Sequence, residues 1–560
     1  MTELMPAGGH ISHVAERASP FRGAIRWIAR FEPCDIATVM LLAALVVVAL
    51  LTYKDYAISN DEGVQRHYGE LIIAYYASGF QDQSLFSFQN LYLYGGMFDI
   101  IAICLSHIVP LDPYDLGHIV CALMGIGGVA AAAATARLIA GPRAGLIAAI
   151  SLTSCGVWYG AMFNHTKDIP FAAAMTGATL FLIRIARLLP SPRAGDIAAF
   201  GLLAGAALGE RVLGLLLVIY VGFTIVLYLP WQGDGNTRLR FAVRSFVSML
   251  PALTLAYIIM ILAWPWSALA PLNPVRGLLA FSEFNYSIRT LLAGQIYEMA
   301  NVPRLYVPIY IAIRVPLLML FGAALTMISA QLLRRGSSSQ QHREITLVSL
   351  MVVVPLACQV AWHGPAFTGL RHFLFLIPAL AVLAGIGLDK ALALLNLRGR
   401  MAASGGLAII TACVLWDAVT LIRLHPYEYL FYNSLVGGLE GASRRYDLDY
   451  WFSSMPEALG QLEAHVRRTG PRDANWPAQI YSVAVCGERL EFEKAVTLPQ
   501  LHWDFMPQWQ QSQFFIAPTH LNCDMDLDGE IVGTVERLGV TIAYVKDRRA
   551  LTGPVATATR

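Results

Sequence analysis

Charge is what this sequence has least of. Asp, Glu, Lys and Arg make up 14% of its 560 residues, against 56% hydrophobic, a balance outside the soluble globular range. The formal net charge is only +2, and nucleic acid is not expected as a partner of a chain without a strong basic field. Cysteines number 8 and form no Cys/His cluster of metal-ligand spacing; most lie in or beside apolar runs, where they read as small buried residues. No internal repeat is visible. A leader-type cleavage site is also missing. The first apolar run, 36–53, follows Arg17, Arg22, Arg26 and Arg30 and is long enough to span, so it reads as a signal anchor that is retained.

What is abundant is long apolar runs of about 18–25 residues, the length a helix needs to cross a bilayer core. Eleven candidate spans begin near Ile36, Leu116, Ala144, Pro170, Ile197, Val212, Arg244, Leu305, Ile345, His372 and Ser404. The stretch 197–230 is divided at Gly209-Glu210-Arg211, because Glu and Arg are costly at bilayer centre and a surface turn is not. Alternate loops are short and basic: Arg137 and Arg143; Arg184, Arg187 and Arg193; Arg238 and Arg240; Arg334, Arg335 and Arg343; Lys390, Arg398 and Arg400. By the positive-inside rule these are cytoplasmic. The expected fold is therefore a polytopic α-helical protein of an inner (plasma) membrane, with about eleven transmembrane helices, the N-terminus inside and the C-terminus outside.

Its expected organisation is a cytoplasmic segment 1–35, a membrane domain 36–423 with a large first outer loop 54–113, and an extracytoplasmic α/β domain 424–560. The apolar stretch 91–110 in that loop is read as interfacial helix, since a further crossing would invert every later loop. In the tail, 456–468 has helical periodicity and 480–486, 514–517 and 540–545 read as strands. Cys486 and Cys523 are its only cysteines; an oxidising compartment favours pairing them, though spacing alone does not decide it.

The scarce charges recur at one set of span ends. Asn60-Asp61-Glu62 follows the first span, Asn164-His165-Thr166-Lys167-Asp168 precedes the fourth, Glu210-Arg211 lies at the fifth–sixth turn, and His363, Arg371 and His372 flank the tenth. The topology puts all of them at the outer surface. A charge at a span end also simply marks the water boundary, and His165 and His363 are read that way. The adjacent Asp61-Glu62 pair asks for more, because neighbouring like charges are unfavourable unless they share a cation, a metal or a proton. Together the set suits glycosyl transfer from a lipid phosphate: a carboxylate takes the acceptor proton, and arginines hold the departing phosphate.

Arranged in this order, the residues resemble the GT-C superfamily, in particular the bacterial relatives of protein O-mannosyltransferases and lipid A aminoarabinose transferases. The likeness rests on Asn60-Asp61-Glu62, Lys167-Asp168-Ile169-Pro170-Phe171, Trp264-Pro265-Trp266, Val307-Pro308 to Val315-Pro316, and Gly369-Leu370-Arg371-His372-Phe373. It continues through His425-Pro426-Tyr427, Asn433, Gly437-Gly438 and Asp449-Tyr450-Trp451. The resemblance implies a polyprenyl-phosphate-linked sugar donor, a lipid, glycan or protein acceptor, and inversion at the anomeric carbon. It makes Asp61 the expected general base, with Glu62 beside it. Glu62 and Asp168 are the residues it would give to a divalent cation (Mg or Mn), which some superfamily members use, or to acceptor positioning. Arg211, Arg371 and His372 are expected at the lipid phosphate on chemistry and topology. Lys167 departs from the pattern: where relatives have a second acid it brings a cation, which weakens a metal role and suits phosphate. Tyr75, Tyr76, Tyr92, Tyr94, Trp264 and Trp266 read as an interfacial aromatic belt, with sugar stacking the alternative. The rival classes are a transporter or lipid-linked-glycan flippase, whose charges gather near the bilayer midplane, and a non-catalytic scaffold.

Overall fold

The computed structural model describes residues 32–282, 287–332, 339–470 and 480–552. Arg17, Arg22, Arg26, Arg30, Arg334 and Arg335 lie outside the described residues. The first helix, α1 (Pro33–Thr52), opens where Glu32 and Asp35 cap one another around Pro33, a start set by side chains that satisfy the free backbone amides. Beyond it come α2 (Glu62–Ala77), α3 (Met97–Ser106), α4 (Pro113–Ala140), α5 (Pro142–Thr153), α6 (Asp168–Ala186), α7 (Ala194–Leu208), α8 (Leu216–Tyr228) and α9 (Gly235–Ala263). A short antiparallel hairpin, β1 (Arg289–Leu292) and β2 (Gln295–Glu298), precedes α10 (Tyr306–Arg314), α11 (Leu317–Leu332), α12 (Ser339–Trp362), α13 (Ile377–Leu397) and α14 (Arg400–Leu424).

Among the described residues, seven helices are long and apolar enough to cross a membrane, or nine if each of two bent pairs is one span. The bent pairs are α5 with Gly156–Asn164, at 70°, and α10 with α11, at 117°. The two remaining expected spans are α7 and α8. α7 has 15 residues, and α8 with the 3₁₀ turn Val212–Leu215 that leads into it has 17, so they rise about 22 and 27 Å, near the lower end of what a roughly 30 Å core requires. The expected starting points thus fall on or beside helical passages, and the chain is a polytopic helical membrane protein. The stretch 91–110 forms a 3₁₀ turn and the ten-residue α3, too short to be a further span. Outer helices leave Met40, Leu51, Leu262 and Trp416 exposed, whereas α13 is buried along most of its length, as for a bundle whose solvent is lipid.

Ion pairs mark one end of this bundle. Arg137 meets Asp35 at 2.5 Å, Arg184 meets Asp196 at 2.7 Å, Arg187 meets Glu344 at 2.6 Å, and Arg143 pairs with Asp389. These arginines belong to the basic loops read from the sequence, and the alternation of the helices gathers them together. The opposite helix ends carry the acids and arginines described below.

After α14 the chain winds through short 3₁₀ turns into α15 (Met455–Thr469) and a five-stranded sheet. Its strands are β3 (Tyr481–Val485), β4 (Leu501–Asp504), β5 (Phe514–Pro518), β6 (Glu530–Arg537) and β7 (Val540–Asp547), in the order β4-β3-β5-β7-β6. β3 runs parallel to β4 and β5, and β7 antiparallel to β5 and β6. Helix α16 (Arg489–Ala495) makes the crossover from β3 to β4. The two strands beyond the expected three, β4 and β6, are the sheet's edges. Cys486 and Cys523 are joined, with Cα atoms 6.6 Å apart across 37 residues.

Candidate active site

Asp61 is the residue before α2, and its side chain does not cap that helix. It accepts instead from an Nη of Arg371. The Nε of the same guanidinium donates to Asp168 at 3.0 Å, and the other oxygen of Asp168 accepts from Arg211. Four residues scattered over three hundred positions thus form one chain: Asp61, Arg371, Asp168, Arg211. Asp168 is 3% exposed and both arginines about 10%, whereas Asp61 is 33% exposed. The two buried cations share a buried carboxylate, and the carboxylate that faces outward is Asp61.

The other three are delivered by breaks in apolar runs. Asp168 is the first residue of α6. Arg211 follows the end of α7, where the chain leaves the helix in an extended conformation. Arg371 opens a 3₁₀ turn ahead of α13, two residues after Gly369, whose φ of +67° favours glycine. The break at 209–211 is a turn as expected, yet it is not a surface turn. Glu210 is 1% exposed and accepts the Phe98 amide at 2.9 Å. It is covered because Gly95 and Gly96 bring the first outer loop against it: Met97 N donates to Gly209 O at 3.2 Å and Gly96 N to Ala263 O at 2.9 Å.

The other expected site residues have different partners. Glu62 is buried, accepting the Ser59 amide at 2.5 Å and lying 3.0 Å from His118 Nε2. Lys167 is buried too, donating to Gly95 O at 3.0 Å and sitting 3.7 Å from Asp99. His372 packs edge-on against Phe367. Neither Glu62 nor Lys167 therefore joins the Asp61–Arg371–Asp168–Arg211 chain. His165 is buried among Tyr429, Tyr450 and Trp451 rather than marking a water boundary. Burial holds its pKa down to about 3, so it is neutral. Its Nδ1 donates to Asn164 Oδ1 (3.0 Å), and its Nε2 accepts from Tyr450 OH (2.6 Å). His363 is tied to the Val302 carbonyl.

Trp451 is the aromatic face of the site. Its ring lies 4.5 Å from the Arg371 guanidinium and 4.2 Å from the His165 ring, positions in which a cation–π contact helps hold the arginine. Tyr94 packs on Phe281 and beneath Lys167 at 5.3 Å. Tyr75 joins Phe80 and Phe86, and Trp264 donates to the Tyr92 carbonyl at 2.7 Å; both support the loop. Asp99 and Asp447, also close by, carry no motif in the sequence. The signal for Asp99 is a lone acid in the apolar run 97–105; for Asp447 it is proximity to Asp449-Tyr450-Trp451.

A divalent metal fits these residues poorly. Both Asp168 oxygens are occupied by guanidiniums, Glu62 faces His118, and no group of three or more His, Cys, Asp or Glu is arranged for a metal among the described residues.

Residues 115–266, about a quarter of the chain, match the family model described as dolichyl-phosphate-mannose-protein mannosyltransferase. This segment contains Lys167, Asp168, Glu210, Arg211 and Trp264-Pro265-Trp266, but neither Asp61 nor Arg371. No curated protein sequence matches. Among solved structures, ArnT from Cupriavidus metallidurans in the apo state is similar at 14% identity and a TM-score of 0.48, covering 95% of this chain and 100% of its own. Bound to undecaprenyl phosphate it matches at 15% identity and 0.47, covering 92% and 99%. The Archaeoglobus fulgidus oligosaccharyltransferase in the apo form matches at 12% identity and 0.44, covering 82% of this chain and 64% of its own. The resemblance to the protein O-mannosyltransferase group read from the residues is thus borne out, over residues 115–266, by that family's own model.

Proposed function

We propose that this chain is an inverting glycosyltransferase that moves a monosaccharide from a polyprenyl-phosphate donor to a hydroxyl acceptor on the extracytoplasmic face of the bacterial inner membrane. The observation that carries the reading is the Asp61–Arg371–Asp168–Arg211 chain at one end of the bundle, together with the family match across its Asp168–Arg211 half.

Two arginines face two carboxylates, so the site is neutral when empty. The lipid phosphate competes with Asp61 for Arg371, since guanidinium binds phosphate and carboxylate in the same planar, two-pronged manner. Asp168, buried between both arginines, stays as their fixed counter-charge. Asp61, released from Arg371, takes the proton of the acceptor hydroxyl as that oxygen attacks the anomeric carbon. The bond to the phosphate oxygen breaks on the opposite face, and its electron pair leaves with the polyprenyl phosphate held by Arg371 and Arg211. One displacement inverts the centre. Glu62 and Lys167 are assigned to holding the first outer loop in place, through His118 and through Gly95 with Asp99. His372 stands next to Arg371 as a further contact for phosphate or acceptor.

The test is release of polyprenyl phosphate from a panel of radiolabelled polyprenyl-phosphate sugars by protein in nanodiscs, with membrane extract as acceptor source. Asp61→Asn is expected to remain folded, being partly exposed, and to lose about 10²–10⁴-fold in turnover, the range for a general base. Retention of wild-type turnover in that variant removes Asp61 from the chemistry. No turnover of any donor by folded wild type moves the reading to transport or flipping.

A further inference from the structure

One buried acid outside this chain gathers donors from three separate elements. Asp447, fully buried, accepts from Thr290 Oγ1 at 2.5 Å, Leu291 N at 2.9 Å, Tyr306 OH at 3.1 Å and Gly369 N at 3.1 Å. These donors come from the β1 hairpin strand, from the first turn of α10 and from the loop that leads into Arg371. His520, in the C-terminal sheet region, stands 3.7 Å away. Its own backbone is fixed as well: Asp447 N donates to Tyr310 OH at 3.0 Å, and its carbonyl accepts from Tyr432 OH at 2.8 Å and Arg314 Nη1 at 3.4 Å.

Two of those donors bear on Arg371. Gly369 N donates both to Asp447 and to Tyr306 OH, the latter at 2.8 Å, and Arg371 is two residues on. The same segment holds Arg371 from its other side. Asp449 accepts the Ser453 amide at 2.7 Å, the Ser454 amide at 3.3 Å, and the hydroxyls of Ser454 and Tyr429. That fixes the turn carrying Trp451, on whose ring the guanidinium lies. A buried carboxylate with this many donors is a rigid post, because losing the charge leaves several buried N–H and O–H groups unpaired at once.

Resting on the glycosyl-transfer reading, we infer that Asp447 is a positioning residue: it sets the backbone from which Arg371 reaches the lipid phosphate, and so ties the phosphate site to the β1–β2 hairpin and the C-terminal region. An occupant that shifts either of those elements reaches Arg371 through Asp447.

The experiment uses the full chain in nanodiscs and reads two quantities, polyprenyl phosphate binding and its release from the donor. Asp447→Asn, which turns an amide towards donors, is expected to weaken polyprenyl phosphate binding about tenfold and to slow release at least as much. In an Arg371→Lys background the same substitution is expected to add less than about threefold, because residues that act through one another are not additive. Tyr306→Phe, which keeps the carboxylate and removes one hydroxyl from both Asp447 and Gly369, is the second variant and carries the same non-additive expectation if Asp447→Asn fails to fold. Equal losses in the presence and absence of Arg371, in whichever variant folds, overturn the inference and leave Asp447 a structural residue. Wild-type protein that neither binds polyprenyl phosphate nor releases it from any donor sinks the glycosyl-transfer reading instead, which is a separate result.

Discussion

Asp168→Asn should do two opposite things at once. The residue is 3% exposed and is the shared counter-charge of Arg211 and Arg371, themselves about 10% exposed. Removing one partner of a buried ion pair costs about 3–5 kcal/mol, because the remaining charge is left uncompensated. Arg371 keeps Asp61, while Arg211 already has a buried Nε without a partner, so most of the cost falls on Arg211. The variant should therefore unfold earlier than wild type. Yet the same change leaves the two cations less neutralised, and a unit charge about 4 Å away is worth up to about 4 kcal/mol at an effective dielectric of 20. Even a third of that makes an anion bind about tenfold tighter. Polyprenyl phosphate should then raise the unfolding temperature of Asp168→Asn more than that of wild type, since a ligand at a hundred times its Kd contributes about 2.7 kcal/mol to the state that binds it. Thermal unfolding in detergent, with and without polyprenyl phosphate, measures both effects. A variant as stable as wild type, or one that polyprenyl phosphate stabilises no more than wild type, refutes the shared counter-charge argument.

Two further predictions concern the ground beneath that site. A Cβ at Gly95 would stand 1.8 Å from Gly209 O, so Gly95→Ala must push the loop off the turn that carries Arg211; folded yield and phosphate binding should both fall, by about 1–3 kcal/mol in stability. Gly127→Ala, at an open position, is the control, and equal behaviour of the two variants rejects the close-approach argument. Glu210 is raised by burial from 4.5 to about 8, so between those values the folded state holds a proton that the unfolded state has lost. Stability should accordingly fall as pH rises from about 5 to 8, by up to about 1.4 kcal/mol per pH unit. Glu210→Gln should flatten that slope, and a pH dependence unchanged by the substitution would falsify the assignment.

What the sequence disclosed and what it hid follow from geometry. Asp168, Arg211 and Arg371 are legible because each stands where an apolar run breaks, and a charge is tolerated there only at a helix end; Asp61 is legible because it follows the first span as half of an adjacent acidic pair. Their partners are not legible, since the contacts join residues up to 310 positions apart. Neighbours in sequence also diverge: successive residues at a helix start point about 100° apart. So Asp61 turns to Arg371 while Glu62 turns to His118, and Asp168 meets two arginines while Lys167 meets Gly95 and Asp99. The adjacency that made Asp61-Glu62 conspicuous is what prevents the two from acting together. The cost of burying charge places the 209–211 break at the surface in a reading of the sequence alone. The burial occurs because Phe98 N supplies Glu210 with a donor and Asp168 supplies Arg211 with a counter-charge, neither of which a local reading contains.

That pairing bears on how the proposed reaction would be kept in order. A carboxylate oxygen that already accepts from a guanidinium is not free to take a proton from another donor. One oxygen of Asp61 is in that position, held by Arg371. Of the two acids, Asp61 is the more exposed and has one arginine, while Asp168 is buried with two. An arriving phosphate therefore displaces Asp61 and not Asp168, since exchanging the exposed contact strands no buried charge. On the proposed reading, the base becomes available only once the leaving group is in place, and water or acceptor meeting the site without a donor finds Asp61 already engaged. The order of events then lies in the difference between 33% and 3% exposure of two aspartates on one arginine, and it is lost if Asp61 is as deeply buried as its partner.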